Sequence, residues 1–198
     1  MKLHKPLILA SASPRRQEIL TLAGLEFTVY PADTEWAPDG LSPYDRVQAL
    51  ARSKAAQVAA SHPNSLILGS DTMVVLDEIA LGKPKNEEDA VNMLLTMQGR
   101  THQVMTGVWI IETDATGSAV KEDGFTDVAE VDFYGFSAAE AAEYVSTGEP
   151  MDKAGSYGIQ GRGMRFVRGI RGDFFTVMGL PGGRLLRFLA DFLKMPQN

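Results

Sequence analysis

Two hydroxyl groups and two guanidinium groups lie close together near the start of the chain, in the segment Ser11-Ala12-Ser13-Pro14-Arg15-Arg16. The apolar run before it predicts a strand, and a proline such as Pro14 is typical of the first turn of a helix. A helix start binds anions through unpaired N–H groups and the helix dipole, and arginine adds paired contacts to phosphate. The start of a helix carries positive partial charge, so two arginines there do not stabilise the helix. Their presence is better explained by binding of a phosphate. The alternative is a capped, solvated helix start.

A carboxylate and a hydroxyl interrupt the apolar run from Leu66 to Leu76, at Asp71 and Thr72. The run predicts a strand that is buried on both faces. A carboxylate buried in such a strand is costly unless it is paired, metal-bound or protonated. The position therefore favours a catalytic base or a Mg²⁺ ligand, and a structural salt bridge is the alternative.

Two lysines add positive charge to this set. Lys54 falls within the apolar stripe of the helix predicted from Pro43 to about Ala60. In the functional interpretation, its ammonium group is directed towards an anion. In the structural alternative, the side chain extends along the edge of the core and places its charge in solvent. Lys83 follows the Asp71 strand, and its alternative is an ordinary solvated loop.

The segment from Asp152 to Gly161 combines several glycines with polar residues. Glycine permits positive φ angles and close backbone contact, as a segment folded around a ligand requires. A flexible surface loop is the alternative. One buried acid, several cations, a helix start suited to anions and this glycine-rich segment together indicate a polyphosphate substrate.

The elements that position these residues alternate along the chain. Strands are predicted at Leu7 to Ala12, Phe27 to Tyr30, Leu66 to Leu76, His102 to Glu112, Val120 to Phe133 and Arg165 to Ile170. Helices are predicted from Pro14 to Gly24, Pro43 to Ala60, Glu87 to Met97, Ser137 to Thr147 and Gly182 to Lys194. This order predicts an α/β fold around a largely buried sheet.

Composition excludes several classes of protein. The 198 residues contain no cysteine, which removes disulfides, thiol nucleophiles and cysteine-based metal sites. The net charge of −6 and an aromatic content of 8% argue against a nucleic-acid partner. No apolar run reaches the roughly 20 residues of a membrane helix, and none forms a signal peptide, so we expect a cytoplasmic protein without a membrane partner. P-loop, Rossmann and nucleophile-elbow motifs are absent from the sequence.

The chain resembles the Maf family of nucleoside triphosphate pyrophosphatases nearly from end to end. The motifs that carry this resemblance are Ala10 to Arg16 with Leu20, Lys54, Gly69-Ser70-Asp71-Thr72, Gly82-Lys83-Pro84, Thr106-Gly107-Val108, Asp152 to Gly161 and Gly179-Leu180-Pro181. The form of the segment from Asp152 to Gly161 resembles the subgroup that hydrolyses dTTP and UTP.

The resemblance implies a fold, a reaction and a cofactor. The fold would be a single domain over residues 1–198, an elongated mixed central sheet flanked by helices, as in inosine triphosphatases. Two lobes would enclose an active-site cleft, and the chain would form a homodimer. The reaction would be hydrolysis of dTTP and UTP, or of modified pyrimidine nucleotides, to the monophosphate and pyrophosphate with Mg²⁺ or Mn²⁺.

The resemblance also assigns roles to individual residues. Asp71 becomes the general base that activates water. The positions that bind phosphate are Ser11, Arg16, Lys54 and Lys83. The positions tied to base selection are Arg15, Thr72 and Gln160, and a glutamine amide could pair with a uracil or thymine edge. The metal would be held by Glu35 and Asp71.

Two alternative functions stay open. A regulator of cell division could bind a nucleotide without hydrolysing it, because binding requires the same cations. The second alternative is the same reaction on another base, such as that of 7-methyl-GTP. The Asp71 carboxylate favours the enzyme, since a protein that only binds gains nothing from an acid beside phosphates.

Overall fold

Seven strands form one open, mixed sheet in the computed structural model, which describes residues 3–33 and 36–194. The strands are β1 Leu7–Leu9, β2 Phe27–Val29, β3 Leu66–Leu76, β4 Ile79–Leu81, β5 Thr101–Thr113, β6 Ala119–Phe133 and β7 Val167–Arg171. Their order is β2-β1-β3-β5-β6-β7, with β4 paired to β3. β1 pairs in parallel with β2 and β3, whereas β3–β4 and β6–β7 are antiparallel pairs.

Helices lie between the strands. They are α1 Pro14–Leu22, α2 Pro43–Ala59, α3 Glu87–Met97, α4 Ala138–Val145, α5 Phe174–Met178 and α6 Gly182–Phe192. Short 3-10 helices cover Glu149–Asp152, Ala154–Ser156 and Arg162–Phe166. The predicted α/β fold, a mixed sheet flanked by helices, is confirmed. None of the helices in the described ranges is long and apolar enough to cross a membrane.

Side-chain caps explain where three of the helices begin. In each case a side-chain oxygen accepts a hydrogen bond from an N–H group in the first turn. The capping residues are Ser42 for α2, Asn86 for α3 and Ser137 for α4. Such bonds satisfy N–H groups that have no partner within the helix. The predicted bounds of β3 and α3 are confirmed, because long periodic segments between clear end signals are well specified by sequence.

Two strands depart from a predicted end by more than one residue. β1 ends at Leu9 instead of Ala12, because the residues that follow turn into α1 and the N–H of Ser13 bonds to the Ser11 hydroxyl. β7 begins at Val167 instead of Arg165, because a 3-10 helix occupies Arg162–Phe166.

The chain divides into two compact units, and β3, β5 and β6 each contribute residues to both. The first unit comprises Met1–Asp71, Thr106–Asp127 and Gly179–Asn198, and the second comprises Thr72–Met105 and Val128–Met178. The first unit contains a core cluster made of Ile8, Ala10, Ala55, Val58, Ala59, Ile67 and Ile111. Residues of β1, β3, β5 and α2 therefore pack together in it.

Two glycines let α2 lie directly on the sheet in the first unit. A Cβ atom at Gly69 would lie 2.1 Å from the Ala51 carbonyl oxygen, and one at Gly107 would lie 2.4 Å from the Val47 carbonyl oxygen. Both distances are far below van der Waals contact. The helix thus touches the backbones of β3 and β5 without any intervening side chain, and this contact sets its distance from β3.

The core of the second unit is rich in aromatic rings. Its buried residues include Phe133, Tyr144, Tyr157 and Phe166, together with aliphatic residues of β3, α3 and α4. The rings of Phe133 and Tyr157 meet edge-on with centroids 4.8 Å apart. Edge-on contact is a favourable geometry for aromatic pairs. This cluster therefore stabilises the folded state by more than the burial of its apolar area alone.

A histidine is enclosed by this aromatic core. His102 is 1% exposed, and its Nε2 lies 2.8 Å from the Tyr157 hydroxyl oxygen. Its Nδ1 has no hydrogen-bond partner within the described residues. Burial lowers the pKa of His102 from 6.5 to about 4, and the negative charge of Asp132 acts in the opposite direction without cancelling this shift. The imidazole is therefore neutral in the folded protein at neutral pH.

We expect His102 to make the protein less stable as the pH falls from about 6.5 to about 4. In that range the unfolded chain takes up a proton at this residue and the folded chain does not, so the unfolded state gains. A shift of this size corresponds to about 3 kcal/mol of unfolding free energy. Urea denaturation at several pH values should give a flatter pH profile for His102→Gln than for the wild type. His62→Gln, which removes a half-buried histidine beside Tyr30, is the control and should retain the wild-type slope.

Candidate active site

The guanidinium group of Arg16 is buried in the first unit and bonded to two groups there. Its Nε donates to the Gly179 carbonyl oxygen at 2.9 Å, and its Nη1 donates to Ser11 Oγ at 2.8 Å. Only 9% of Arg16 and 8% of Ser11 is exposed. Arg16 therefore braces the start of α1 against Gly179, and its contact with phosphate stays a prediction.

Ser70 bonds to the same carbonyl oxygen. Its hydroxyl donates to Gly179 at 3.1 Å, and the residue is fully buried. Because Ser70 directly precedes Asp71 on β3, this bond fixes the strand beside the candidate base. Sequence reasoning misses these roles of Ser70 and Gly179, since a serine in an apolar run gives no sign of its distant acceptor.

The start of α1 differs from the other helix starts described above. Its N-cap residue, Ser13, makes no side-chain cap bond, and its first turn contains no acid but includes the half-buried Arg15. Both bonds that the structure gives to the Ser11 hydroxyl are accepted, from the Ser13 N–H and from Arg16. Since a hydroxyl also donates one hydrogen, Ser11 can offer that hydrogen to a phosphate oxygen.

Lys54 and Asp71 form an ion pair in the first unit. Lys54 Nζ lies 2.6 Å from Asp71 Oδ1, and the two side chains are 16% and 15% exposed. Lys54 projects from the apolar stripe of α2, whose predicted members are all buried: Val47, Leu50, Ala51 and Val58. The predicted inward position of Lys54 is confirmed, and Asp71 is a negatively charged neighbour of its ammonium group.

The prediction that β3 is buried on both faces throughout is wrong at its centre. Asp71, Thr72 and Met73 are half-buried, while the residues before and after them are buried. The carboxylate consequently has partial access to solvent, and a water molecule or a phosphate oxygen can approach it. The salt bridge named above as the structural alternative is present, but at this exposure it does not exclude a chemical role.

The second unit contains the other predicted residues. Lys83 is exposed and follows Gly82, whose carbonyl oxygen accepts a hydrogen bond from the N–H of Gly155 at 3.0 Å. This bond brings the chain next to Lys83 together with the glycine-rich segment. Thr72 is half-buried at the start of the unit, and Gln160 is exposed.

The glycine-rich segment is not the flexible surface loop of the alternative interpretation. The Ala154–Ser156 part forms a short 3-10 helix, and Gly155 and Ser156 are buried with φ angles of 68° and 60°. A Cβ atom at Gly155 would lie 2.8 Å from a methyl carbon of Val74. Glycine is thus required at residue 155 by both its backbone angle and its packing.

The predicted metal site lies partly outside the described residues. Glu35 is one of the residues that the structure does not describe, and Asp71 is bonded to Lys54. Among the described residues, no group of three or more histidines and acids could hold a metal ion by itself. Mg²⁺ is commonly bound by one or two carboxylates together with substrate phosphates, so Asp71 fits a metal that arrives with the substrate.

This arrangement can position a carboxylate beside an ammonium group. Lys54 bonds to the Asp71 carboxylate, and the bond from Ser70 to Gly179 holds the neighbouring residue of β3. The carboxylate can orient a water molecule and accept its proton. Lys54 and the Ser11 hydroxyl, in the same unit, are groups that can bind negatively charged oxygens, which suits a phosphate ester or anhydride.

Comparison with known proteins agrees with this chemistry. Residues 6–192 match the family model described as Maf-like protein. A dTTP/UTP pyrophosphatase of Bacillus mycoides is 46% identical over 189 residues, which make up 95% of this chain and 96% of the relative. A dTTP/UTP pyrophosphatase of Bacillus velezensis is 44% identical over 189 residues, 95% of this chain and 97% of the relative.

A solved structure is similar in fold at low sequence identity. The Staphylococcus aureus Ham1 protein superposes with a TM-score of 0.51 and 15% identity, covering 96% of this chain and all of that one. At this identity the likeness concerns the fold alone, and it agrees with the open mixed sheet flanked by helices.

Proposed function

Because the chain belongs to the Maf family, we propose that it hydrolyses dTTP and UTP to the nucleoside monophosphate and pyrophosphate. The coarser part of this proposal, hydrolysis of a nucleoside triphosphate at an anhydride bond, is supported by the activity in the names of both relatives. The choice of pyrimidine nucleotides is the finer part.

The Lys54–Asp71 pair is the observation that carries the proposal. The Asp71 carboxylate, on the half-buried stretch of β3, lies 2.6 Å from the Lys54 ammonium of α2, in the same unit as Ser11 and Arg16. An ammonium has three donors, so a bond from Lys54 to Asp71 is compatible with a second bond to a phosphate oxygen. A protein that only bound nucleotide would be expected to surround phosphate with cations alone.

Asp71 would act as the general base. Its carboxylate would orient a water molecule, and the water oxygen would attack the α-phosphorus as its proton moves to Asp71. The bond between the α-phosphorus and the oxygen that bridges to the β-phosphorus would break, and pyrophosphate would leave. Lys54 would stabilise the charge that develops on the phosphate oxygens.

Asp71 and Glu35 would hold a divalent metal, Mg²⁺ or Mn²⁺, together with the substrate phosphates. When bound, such an ion neutralises negative charge on the triphosphate. Since Asp71 also pairs with Lys54, the second carboxylate and the phosphate oxygens would have to supply most of the ligands. The cationic side chains of Arg16, Lys54 and Lys83 would bind the phosphate oxygens of the triphosphate directly.

Base selection would fall to Gln160, Arg15 and Thr72. The amide of Gln160 carries one acceptor and two donors, and the uracil and thymine edges present both an N–H group and carbonyl oxygens. Gln160 is an exposed residue of the second unit, which is compatible with contact to a base.

We expect the purified protein to release pyrophosphate from UTP and dTTP in the presence of Mn²⁺, at a higher kcat/KM than from other triphosphates. A coupled pyrophosphate assay over the common nucleoside triphosphates and 7-methyl-GTP measures this directly. Saturable binding of UTP without release of pyrophosphate would instead support the regulator. A preference for 7-methyl-GTP would keep the reaction and change the base.

A further inference from the structure

A tight turn carries Gln160 in the second unit. The N–H of Gly161 donates to the Gly158 carbonyl oxygen at 3.2 Å, so residues 158–161 form a turn with Gln160 at its third position. A side chain on such a turn keeps its direction only if both ends of the turn are held. The contacts of the two ends are therefore informative.

Both ends of this turn are bonded to one pair of side chains, Glu149 and Tyr144. Before Gln160, the N–H of Gly158 donates to the Tyr144 hydroxyl oxygen at 3.2 Å. After it, the N–H groups of Arg162 and Gly163 donate to the two carboxylate oxygens of Glu149 at 2.8 and 3.2 Å. The Tyr144 hydroxyl in turn donates to Glu149 Oε1 at 2.9 Å, which connects the two ends.

The chain lies so close to this pair that an added side chain would displace Glu149 or Tyr144. A Cβ atom at Gly161 would lie within 2.6 Å of both carboxylate oxygens of Glu149, and one at Gly163 would lie 2.8 Å from the Tyr144 hydroxyl oxygen. Gly161 and Gly163 thus permit close contact with Glu149 and Tyr144, as Gly155 does with Val74. This gives the glycine-rich composition a specific reason.

The Glu149 carboxylate is suited to hold backbone N–H groups. Burial opposes its ionisation, but the hydrogen bonds from Arg162, Gly163 and Tyr144 outweigh burial and lower the pKa of Glu149. Hydrogen bonds to a charged acceptor are stronger than those between neutral groups. Lys153 also bonds to the Glu149 carbonyl oxygen, at 2.6 Å.

From these contacts we infer that Glu149 is a positioning residue that holds the turn carrying Gln160 in the conformation that base selection requires. The inference rests on the proposed function, in which Gln160 contacts the base. Glu149 itself would touch neither base nor phosphate. Its effect would pass through the backbone of residues 158–163.

The test compares Glu149→Gln with wild type in two measurements. Glutamine keeps the size of the side chain but replaces one carboxylate oxygen by an NH₂ group. The N–H of Arg162 or Gly163 then meets a donor instead of an acceptor, and this end of the turn is released. We expect hydrogen–deuterium exchange to become faster in peptides that cover residues 158–163. We also expect the ratio of kcat/KM for UTP to that for CTP to fall by about tenfold, because small displacements of a positioned group are costly.

Glu143→Gln is the matched control. Glu143 lies on the same helix as Tyr144, and its carboxylate pairs with the Arg165 side chain at 3.1 Å instead of with the backbone of the turn. This variant should leave both measurements at wild-type values. Tyr144→Phe removes only the hydroxyl group and should change both measurements in the same direction as Glu149→Gln. It replaces Glu149→Gln in the test if Glu149→Gln does not fold. A loss of folded protein alone would lower both kcat/KM values equally and leave their ratio unchanged.

The outcomes separate this inference from the proposed function. Absence of pyrophosphate release by wild type, or an unchanged base preference in Gln160→Glu, would contradict the function proposed for the protein or for Gln160. Unchanged exchange at residues 158–163 in Glu149→Gln would overturn the inference on its own. So would an unchanged UTP-to-CTP ratio in Glu149→Gln alongside an altered ratio in Gln160→Glu.

Discussion

Replacing Asp71 by asparagine is expected to lower the turnover of UTP by at least about 100-fold, the usual effect of removing a general base. Asparagine keeps the shape of the side chain, and its amide oxygen can still accept a hydrogen bond from Lys54. What it loses is the negative charge and the ability to take a proton from water. Steady-state kinetics with saturating UTP and metal measures the effect, and thermal unfolding shows whether the variant is folded.

Asp77→Asn is the control for this experiment. Asp77 is an exposed aspartate that pairs with Arg100 at 2.6 Å in the second unit, so its loss removes an ion pair without changing the Lys54–Asp71 pair. Its turnover should equal that of wild type. If a folded Asp71→Asn protein retained near-normal turnover, Asp71 would not be the base, and the proposed mechanism would fail.

Replacing Gly69 by alanine is expected to destabilise the protein by about 3 kcal/mol or more, at the upper end of what overpacking costs. The added methyl group would lie 2.1 Å from the Ala51 carbonyl oxygen and 2.9 Å from the Ala55 nitrogen. Both are backbone atoms of α2, so relief requires the whole helix to move away from β3. Urea denaturation measures the change in the free energy of unfolding.

Gly183→Ala makes the same substitution where there is space. Within the described part of the chain, no atom outside the backbone of its own helix and its chain neighbours lies within 4 Å of the Cβ position of Gly183, near the start of α6. Alanine is the better helix former, so this variant should be as stable as wild type or slightly more stable. Equal unfolding free energies for Gly69→Ala and wild type would show that α2 and β3 are not in the direct contact described above.

Much of the fold could be predicted because its long elements are periodic. β3 is an apolar run of 11 residues, and α3 lies between a clear cap and Gly99, so both have the predicted bounds. By contrast, β4 has 3 residues and α5 has 5, which is too short for either period to emerge. β4 pairs with β3 across the turn at Asp77 and Glu78, and this pairing does not show in the hydrophobic pattern of three residues.

The candidate site divides in the same way. The inward position of Lys54 follows from the helical spacing of apolar residues, and the special character of Asp71 follows from a charge in an apolar run. The role of Glu149 could not be predicted, since a glutamate before a proline in a polar stretch usually lies in solvent. Its importance arises only when the glycines of residues 158–163 fold around it.

The bond from Arg16 to Gly179 joins residues that are 163 positions apart, which bears on how the protein forms during synthesis. A ribosome releases the N-terminal residues long before the acceptor of this bond exists. Until Gly179 emerges, the Arg16 guanidinium and the Ser70 hydroxyl both lack that partner, and burying them would leave donors unsatisfied. We therefore expect the start of α1 and the strand beside Asp71 to reach their final arrangement late in translation, because a nascent chain that stops short of Gly179 lacks both of these bonds at the candidate site.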